Sequence, residues 1–165
     1  MWTANQIATN TRNVGRAWTW LMDRIHRDFE VYRVINKTLE EDALAIGELV
    51  ELAIPSGPTS HDEVRRASKK RADYIGAMQE VTPFGASGQC RRNNVAFVLF
   101  DGTNETLNVG DLVNVSTTMP GRGVAVPLGT GGKRVGTVCD VRGYHPVTNP
   151  GALILMRHCC GVGPG

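Results

Sequence analysis

From Asn13 onward, Val14, Ala17, Trp18, Leu21, Met22, Ile25 and Phe29 recur at helical spacing, while Arg16, Asp23, Arg24 and Arg27 fall mostly on the opposite side. The spacing predicts a helix over residues 13–28. Trp18 and Trp20 stand two positions apart and cannot share one narrow stripe. Either both rings pack on the chain's own body, or at least one of them faces a partner. Ahead of the helix, residues 1–11 are polar with isolated apolar side chains and read as an extended tail.

Beyond Phe29 the apolar positions come in short runs, the signature of strands. Residues 30–35 predict a first strand, closed by the turn-compatible cluster Asn36-Lys37-Thr38. Residues 44–52 then parallel residues 107–115: both run apolar, any, apolar, Gly, acid, Leu, Val, any, apolar. Residues 74–81 parallel 134–141, with Gly76 matching Gly136, and residues 95–100 parallel 152–156. A glycine before the acidic residue suits a bend into a strand. Gly76 and Gly136 leave room for a neighbouring backbone. The closing runs are apolar on both faces and predict central or doubly covered strands. These matches fit a duplicated unit, folded either as one barrel with pseudo-twofold halves or as two small barrels. Convergent strand chemistry produces short matches too.

The connections differ between the halves. Residues 56–71 form a long loop flanked by Pro55 and containing Pro58, and residues 62–74 predict a short helix starting near Ser60 or His61. In the second half, residues 119–123 and 128–134 read as hairpin-like turns. The expected organisation is a tail and helical arm over 1–30, a β-barrel core over 31–160 with pseudo-repeats at 31–100 and 101–160, and a mobile glycine-rich tail over 161–165.

Composition agrees with a folded β protein. The 165 residues are 41% hydrophobic and 21% charged, enough for one domain or two very small ones. Glycine is high at 19, with 8 prolines, and both cluster after position 55, where they punctuate the apolar runs. The net charge of +2 lacks the basic excess of a dedicated nucleic-acid binder. Its pattern is more telling. Glu40, Glu41, Asp42, Glu48, Glu51, Asp62 and Glu63 run without a Lys or Arg, and Arg65, Arg66, Lys69, Lys70 and Arg71 follow at once. Such a dipolar surface suits another charged protein, or else is a solvated loop. No run approaches the ~18 apolar residues of a membrane span, and no secretory signal pattern opens the chain. The four cysteines, Cys90, Cys139, Cys159 and Cys160, match neither a zinc ribbon nor a dense disulfide framework, and reduced thiols are expected.

No catalytic motif stands up. A phosphate loop ending at Gly132-Lys133 would need a glycine where Pro127 stands and a hydroxyl where Arg134 stands. His158-Cys159-Cys160 is the one ligand-like cluster, and a structural zinc needs about four ligands with chelating spacing. No context activates a cysteine, and Glu40-Glu41 has no apolar wall to raise a pKa. The chain is therefore expected to be no enzyme, with no catalytic residue, no cofactor and no metal. The strongest competing reading is a small β-barrel nucleic-acid or assembly module. Against it, the basic run has only Tyr74 nearby for stacking, and Arg91-Arg92 only Phe84 and Phe97.

The stretch Val34-Ile35-Asn36-Lys37-Thr38, followed by Ile46-Gly47-Glu48-Leu49-Val50, resembles the opening of tailed-bacteriophage capsid decoration (cement) proteins. Val109-Gly110-Asp111-Leu112-Val113, Arg134-Val135-Gly136-Thr137-Val138 and Ala152-Leu153-Ile154-Leu155 extend the resemblance, which spans roughly residues 31–157. It implies a β-barrel or β-tulip-like protein, made in the host cytoplasm, that sits on the outside of the virion and bridges capsid subunits. The implied partners are the major capsid protein and further copies of itself, as a trimer or dimer, with neither membrane nor nucleic acid. The long arm and the doubled core depart from the family pattern. The arm (Trp18, Trp20, Leu21, Ile25) and the charged loop (Arg65, Arg66, Lys69, Lys70, Arg71) are the expected protein interface.

Overall fold

The structure, a computed structural model, describes residues 3–6, 13–14, 16–17, 31–53, 63–68, 74–131 and 134–156. It is mainly β. Five strands form a closed barrel: β1 (Val31–Asn36), β2 (Leu49–Leu52), β3 (Glu63–Arg66), β4 (Tyr74–Met78) and β5 (Ser87–Arg91), in the order β1-β3-β2-β4-β5. β1 runs parallel to β3, and every other neighbour pair, including the closing β1–β5 pair, is antiparallel. Closure leaves the barrel no free edge.

The second sheet comprises β6 (Asn94–Leu99), β7 (Leu112–Val115), β8 (Gly123–Val126), β9 (Arg134–Asp140) and β10 (Gly151–Met156), in the order β6-β10-β9-β7-β8. It repeats the pairing plan of the first: a single parallel bridge, Phe100 to Gly123, stands where β1 meets β3. The irregularity between Val50 and Glu51 on β2 returns between Val113 and Asn114 on β7. The Gly-acid motif builds the same turn twice. Glu48 Oε2 accepts from the Ala45 N–H at 2.9 Å, and Asp111 Oδ2 from the Asn108 N–H at 2.7 Å. Gly47 N–H donates to Met78 O, and Gly110 N–H to Val138 O.

The correspondence differs from the sequence expectation at the closing runs. Residues 95–100 and 152–156 are not equivalents but antiparallel partners, Val95 opposite Leu155 and Phe97 opposite Leu153. β6 occupies in the second sheet the place that β1 holds in the first, so the sheets divide between Arg91 and Asn94 rather than at residue 100. Two other expectations fall. The predicted helix over 62–74 is overturned at residues 63–66, which form β3 inside the barrel. Residues 128–134 do not close a hairpin, because β8 and β9 both pair with β7 and not with each other. The turn at 119–123 does join the paired strands β7 and β8.

At the N-terminus, residues 4–6 are helical rather than extended. Thr3 Oγ1 accepts from Gln6 N–H while Thr3 N–H donates to Gln6 Oε1, a reciprocal capping box. Asn13, Val14, Arg16 and Ala17 have helical backbone, and residues 18–28 of the predicted arm lie outside the described residues, as do 157–165.

The barrel and the second sheet are joined by a segment of the first that docks on the second. Gly47 O accepts from Leu99 N–H at 2.9 Å, Leu49 N–H donates to Gly121 O at 2.8 Å, and Gly121 N–H donates to Ala67 O at 2.8 Å. Residues 47–49 thus fill the gap beside the lone Phe100–Gly123 bridge. Side chains alternate along β2: Val50 joins the first barrel's interior with Val34, Leu44, Val64, Met78 and Cys90, whereas Leu49 joins the second core with Val98, Phe100, Val113 and Ile154. Full burial of Leu49 contributes roughly 1.5–3 kcal/mol.

The joint makes different demands on the two matched glycines. Both have left-handed backbone, Gly47 at φ +84° and Gly110 at φ +97°. A Cβ on Gly47 would stand 2.8 Å from the Phe97 ring, while one on Gly110 would meet nothing within 4 Å. Each alanine substitution therefore carries the left-handed cost of roughly 1–2 kcal/mol. Gly47→Ala adds overpacking of about 1–3 kcal/mol. Urea unfolding should show Gly47→Ala as clearly the less stable variant; equal losses would contradict the joint.

Candidate interaction surfaces

The acidic and basic runs meet on the wall of the first barrel, across the β2–β3 pair. Glu51 on β2 and Arg65 on β3 are directly opposed, with Arg65 Nε donating to Glu51 Oε1 at 2.9 Å. Glu51 is buried and also accepts from the Ser68 N–H at 3.0 Å. Arg66 reaches further: Nε donates to Glu48 at 2.9 Å, Nη1 and Nη2 to Asp42 at 2.8 and 3.2 Å, and Nη1 to Glu40 at 3.3 Å. Its aliphatic stem lies over Gly121 at the joint. Burial works against the Arg66 charge, but the hydrogen bonds to Asp42 and Glu48 outweigh it and raise the pKa. The same Arg66 hydrogen bond holds the Asp42 carboxyl below its ordinary value.

The expected charged interface is thus divided. Arg65 and Arg66 have their partners inside the chain and hold β3 to β2 and to the 40–48 segment. Lys69, Lys70 and Arg71, like Trp18, Trp20, Leu21 and Ile25, lie outside the described residues.

Asn36, in the motif that carries the family resemblance, is a buried hub. Its Nδ2 donates to the carbonyls of Asp42 and Thr82, each at 2.8 Å, and its Oδ1 accepts from the Thr38 N–H at 3.0 Å. Its backbone N–H donates to Ala86 O, and its carbonyl accepts from Gly85 N–H. The side chain therefore ties the end of β1 to two loops, the β1–β2 and β4–β5 connections, and presents nothing to solvent. In the second sheet Phe100 is buried at the corresponding point, with its ring edge-to-face against Tyr144 at 5.9 Å.

The candidate chemical groups also have structural partners. His145 Nδ1 accepts from the N–H groups of Val147 and Thr148 and shapes that turn. Ser116 Oγ donates to Asp101 Oδ2 at 2.6 Å and accepts from the N–H groups of Thr118 and Met119. Burial pushes the Cys90 thiol up to about 12, against the nearby Arg92 charge, so it stays protonated at neutral pH. Among the described residues, no group of three or more His, Cys, Asp or Glu side chains is placed to hold a metal ion. No helix among them is long and apolar enough to cross a membrane.

The surface that sequence reasoning missed lies on the outside of the second sheet. Ala152, Ile154 and Met156 point into the core, while Leu153 and Leu155 point outward, 37% and 53% exposed. Opposite them on β6 stand Phe97 and Val95, the latter 39% exposed. On β9 Thr137 stands opposite Leu155, while Asp140, paired with Arg142, stands opposite Leu153 and bounds the face with charge. The signal was the run Ala152-Leu153-Ile154-Leu155-Met156, apolar on both faces. It forms a strand central in its sheet, as expected, but its outer face is not fully covered.

No family model matches the chain, and no curated protein is significantly similar to it.

Two outcomes follow from the ion pairs. Arg65→Ala leaves Glu51 buried without its cation and should cost about 3–5 kcal/mol in chemical denaturation. Replacing Glu51 and Arg65 together with leucine should cost far less. Asp42, with its folded pKa held below 3.8, contributes stability above that pH and loses it as pH falls through the folded value. Asp42→Asn should therefore flatten the acid limb of a pH–stability profile; an unchanged limb would remove Asp42 from the linkage.

Proposed function

We propose that the protein is a structural component of a phage virion, made in the host cytoplasm, that binds the outside of the assembled capsid and bridges its subunits. The observation that carries this reading is the apolar outer strip of Val95, Leu153 and Leu155 on the second sheet, on a body whose Arg65 and Arg66 are already held by its own carboxylates. The resemblance of residues 31–157 to decoration proteins supports it, as does the repeated pairing plan, read as a duplicated β-tulip-like unit. The partners are the major capsid protein and further copies of this chain, as a dimer or trimer, with no cofactor, metal or chemistry of its own.

The mechanism is mass action: a protein that binds the assembled shell and not free subunits stabilises assembly. Repetition over equivalent sites multiplies a modest contact. The arm residues Trp18, Trp20, Leu21 and Ile25 supply apolar burial, roughly 1.5–3 kcal/mol for each large side chain fully buried. Lys69, Lys70 and Arg71 supply orientation, since exposed ion pairs contribute about 0–1 kcal/mol. The competing nucleic-acid reading is weakened because Arg65 and Arg66 are engaged by carboxylates.

Titration of the purified chain onto empty phage heads tests the proposal. Saturable, stoichiometric binding is expected, and Trp18→Ala with Trp20→Ala should weaken it far more than alanine at Lys69, Lys70 and Arg71. Decorated particles should retain their contents at higher temperature than bare ones; equal heat stability would sink the cement reading. Tight nucleic-acid binding that collapses with salt would instead favour the alternative.

A further inference from the structure

We propose that Arg66 is an electrostatic latch on the joint between the barrel and the second sheet, and that releasing it opens the second sheet away from residues 47–49 while the first barrel stays closed.

The joint is where the fold opens first. Among the described residues, three backbone hydrogen bonds cross it: Leu99 N–H to Gly47 O, Leu49 N–H to Gly121 O and Gly121 N–H to Ala67 O. The first barrel is closed instead by strand ladders, with five residues of β1 in register against β5. A contact with few backbone bonds opens at lower free energy than a continuous ladder. Arg66 stands across that contact. It ends β3, one residue before Ala67, which bonds both Leu49 and Gly121. A Cβ on Gly121 would meet Arg66 Cγ at 3.1 Å and Cβ and Cδ at 3.3 Å, so the Arg66 stem packs on the turn of the second sheet.

The other end of the side chain is held by Glu48, Asp42 and Glu40, and by Ala43 O at 3.1 Å. Glu48 belongs to the docked segment itself. Its Oε1 accepts from Arg66 Nε, and its Oε2 accepts from the Ala45 N–H of the turn that presents Gly47. One guanidinium therefore fixes the turn, while its stem covers the turn's seat. Two of its anchors are open to water: the Glu40 and Asp42 side chains are 55% and 53% exposed. The latch can thus be released from the surface, by loss of carboxylate charge. The charged groups around it are Glu40, Asp42 and Glu48 on the segment leading into β2, Arg65 beside it on β3, paired with Glu51, and Arg122 next to Gly121 on the second-sheet turn. The Arg66 hydrogen bond holds Asp42 below its ordinary value of 3.8, so the hold is complete at neutral pH and weakens as pH falls through the folded value.

Amide hydrogen exchange on the full chain, resolved by residue with nuclear magnetic resonance, tests this. The Leu49, Leu99 and Gly121 amides report the joint, and the β1–β5 ladder reports the barrel. At neutral pH, Arg66→Gln should lower protection at the three joint amides by about tenfold or more, because it leaves buried Glu48 without its cation, and should leave the ladder within about twofold. Arg65→Gln, on the same strand but paired with Glu51, should not single out the joint amides. In the wild type, protection at the joint should fail before the ladder as pH is lowered. Asp42→Asn, which removes one exposed carboxylate, should weaken joint protection already at neutral pH and decides the matter if Arg66→Gln does not fold. Joint protection unchanged in Arg66→Gln, or in Asp42→Asn where that variant decides, overturns Arg66 as the latch. Joint and ladder amides losing protection by the same factor, in the variants or in acid, overturns the separate opening of the second sheet.

Discussion

The architecture depends on one close approach, the docking of residues 47–49 against Leu99 and Gly121. The first barrel closes on itself through the parallel pairing of β1 with β3. The second sheet has only the Phe100–Gly123 bridge at the matching place, and the first barrel supplies the missing backbone partners. A strand edge buried without partners would leave N–H and C=O groups unpaired, at a cost comparable to a lost hydrogen bond for each. The joint removes that cost and brings Leu49, Ala67 and Ala77 into the second core. The barrel and the second sheet are therefore alike in plan and unequal in self-sufficiency.

The polar interior follows the same economy. Asn36 satisfies the Asp42 and Thr82 carbonyls and the Thr38 N–H, and Glu51 has both Arg65 and the Ser68 N–H. Buried groups so fully paired fix loop positions, whereas half-paired ones would destabilise them. Arg66 extends the logic to the joint, gathering Asp42, Glu48 and Glu40 with its head while its stem covers Gly121. What remains outside on the second sheet is an apolar strip, the part of the surface with the least internal employment.

Much of the fold was legible in the chain. The Gly-acid-Leu-Val motif marked both turns into β2 and β7, and Gly76 and Gly136 do lie where a Cβ would meet the Arg91 and Leu155 carbonyls. β3 was hidden because Glu63-Val64-Arg65-Arg66 has one apolar residue. Its stability as a strand comes from cross-strand partners, Glu51 above all, that no local window contains. β5, Ser87–Arg91, was missed for the same reason, since Gly88 and Cys90 are its inward residues and neither reads as a strong strand former. The pairing of 95–100 with 152–156 failed because strands adjacent in one sheet share an apolar composition as readily as equivalents do. At the candidate interface, charge sign was legible and charge destination was not: Arg65 and Arg66 looked available to a partner until the register showed carboxylates across from them.

The closure of the first sheet and not the second sets an order of events during synthesis. Translation proceeds N-terminal first at about 5–20 residues per second, so β1 to β5 emerge several seconds before β10 is complete. In that interval the first barrel has all of its strand pairings, and only groups at the joint, such as the Leu49 N–H, await the second half. The second sheet then arrives at a preformed ledge, residues 47–49 with Ala67, that completes it on contact. The C-terminal half thus matures against a template carried on its own chain, and a lesion at that ledge would be felt by the strands made last.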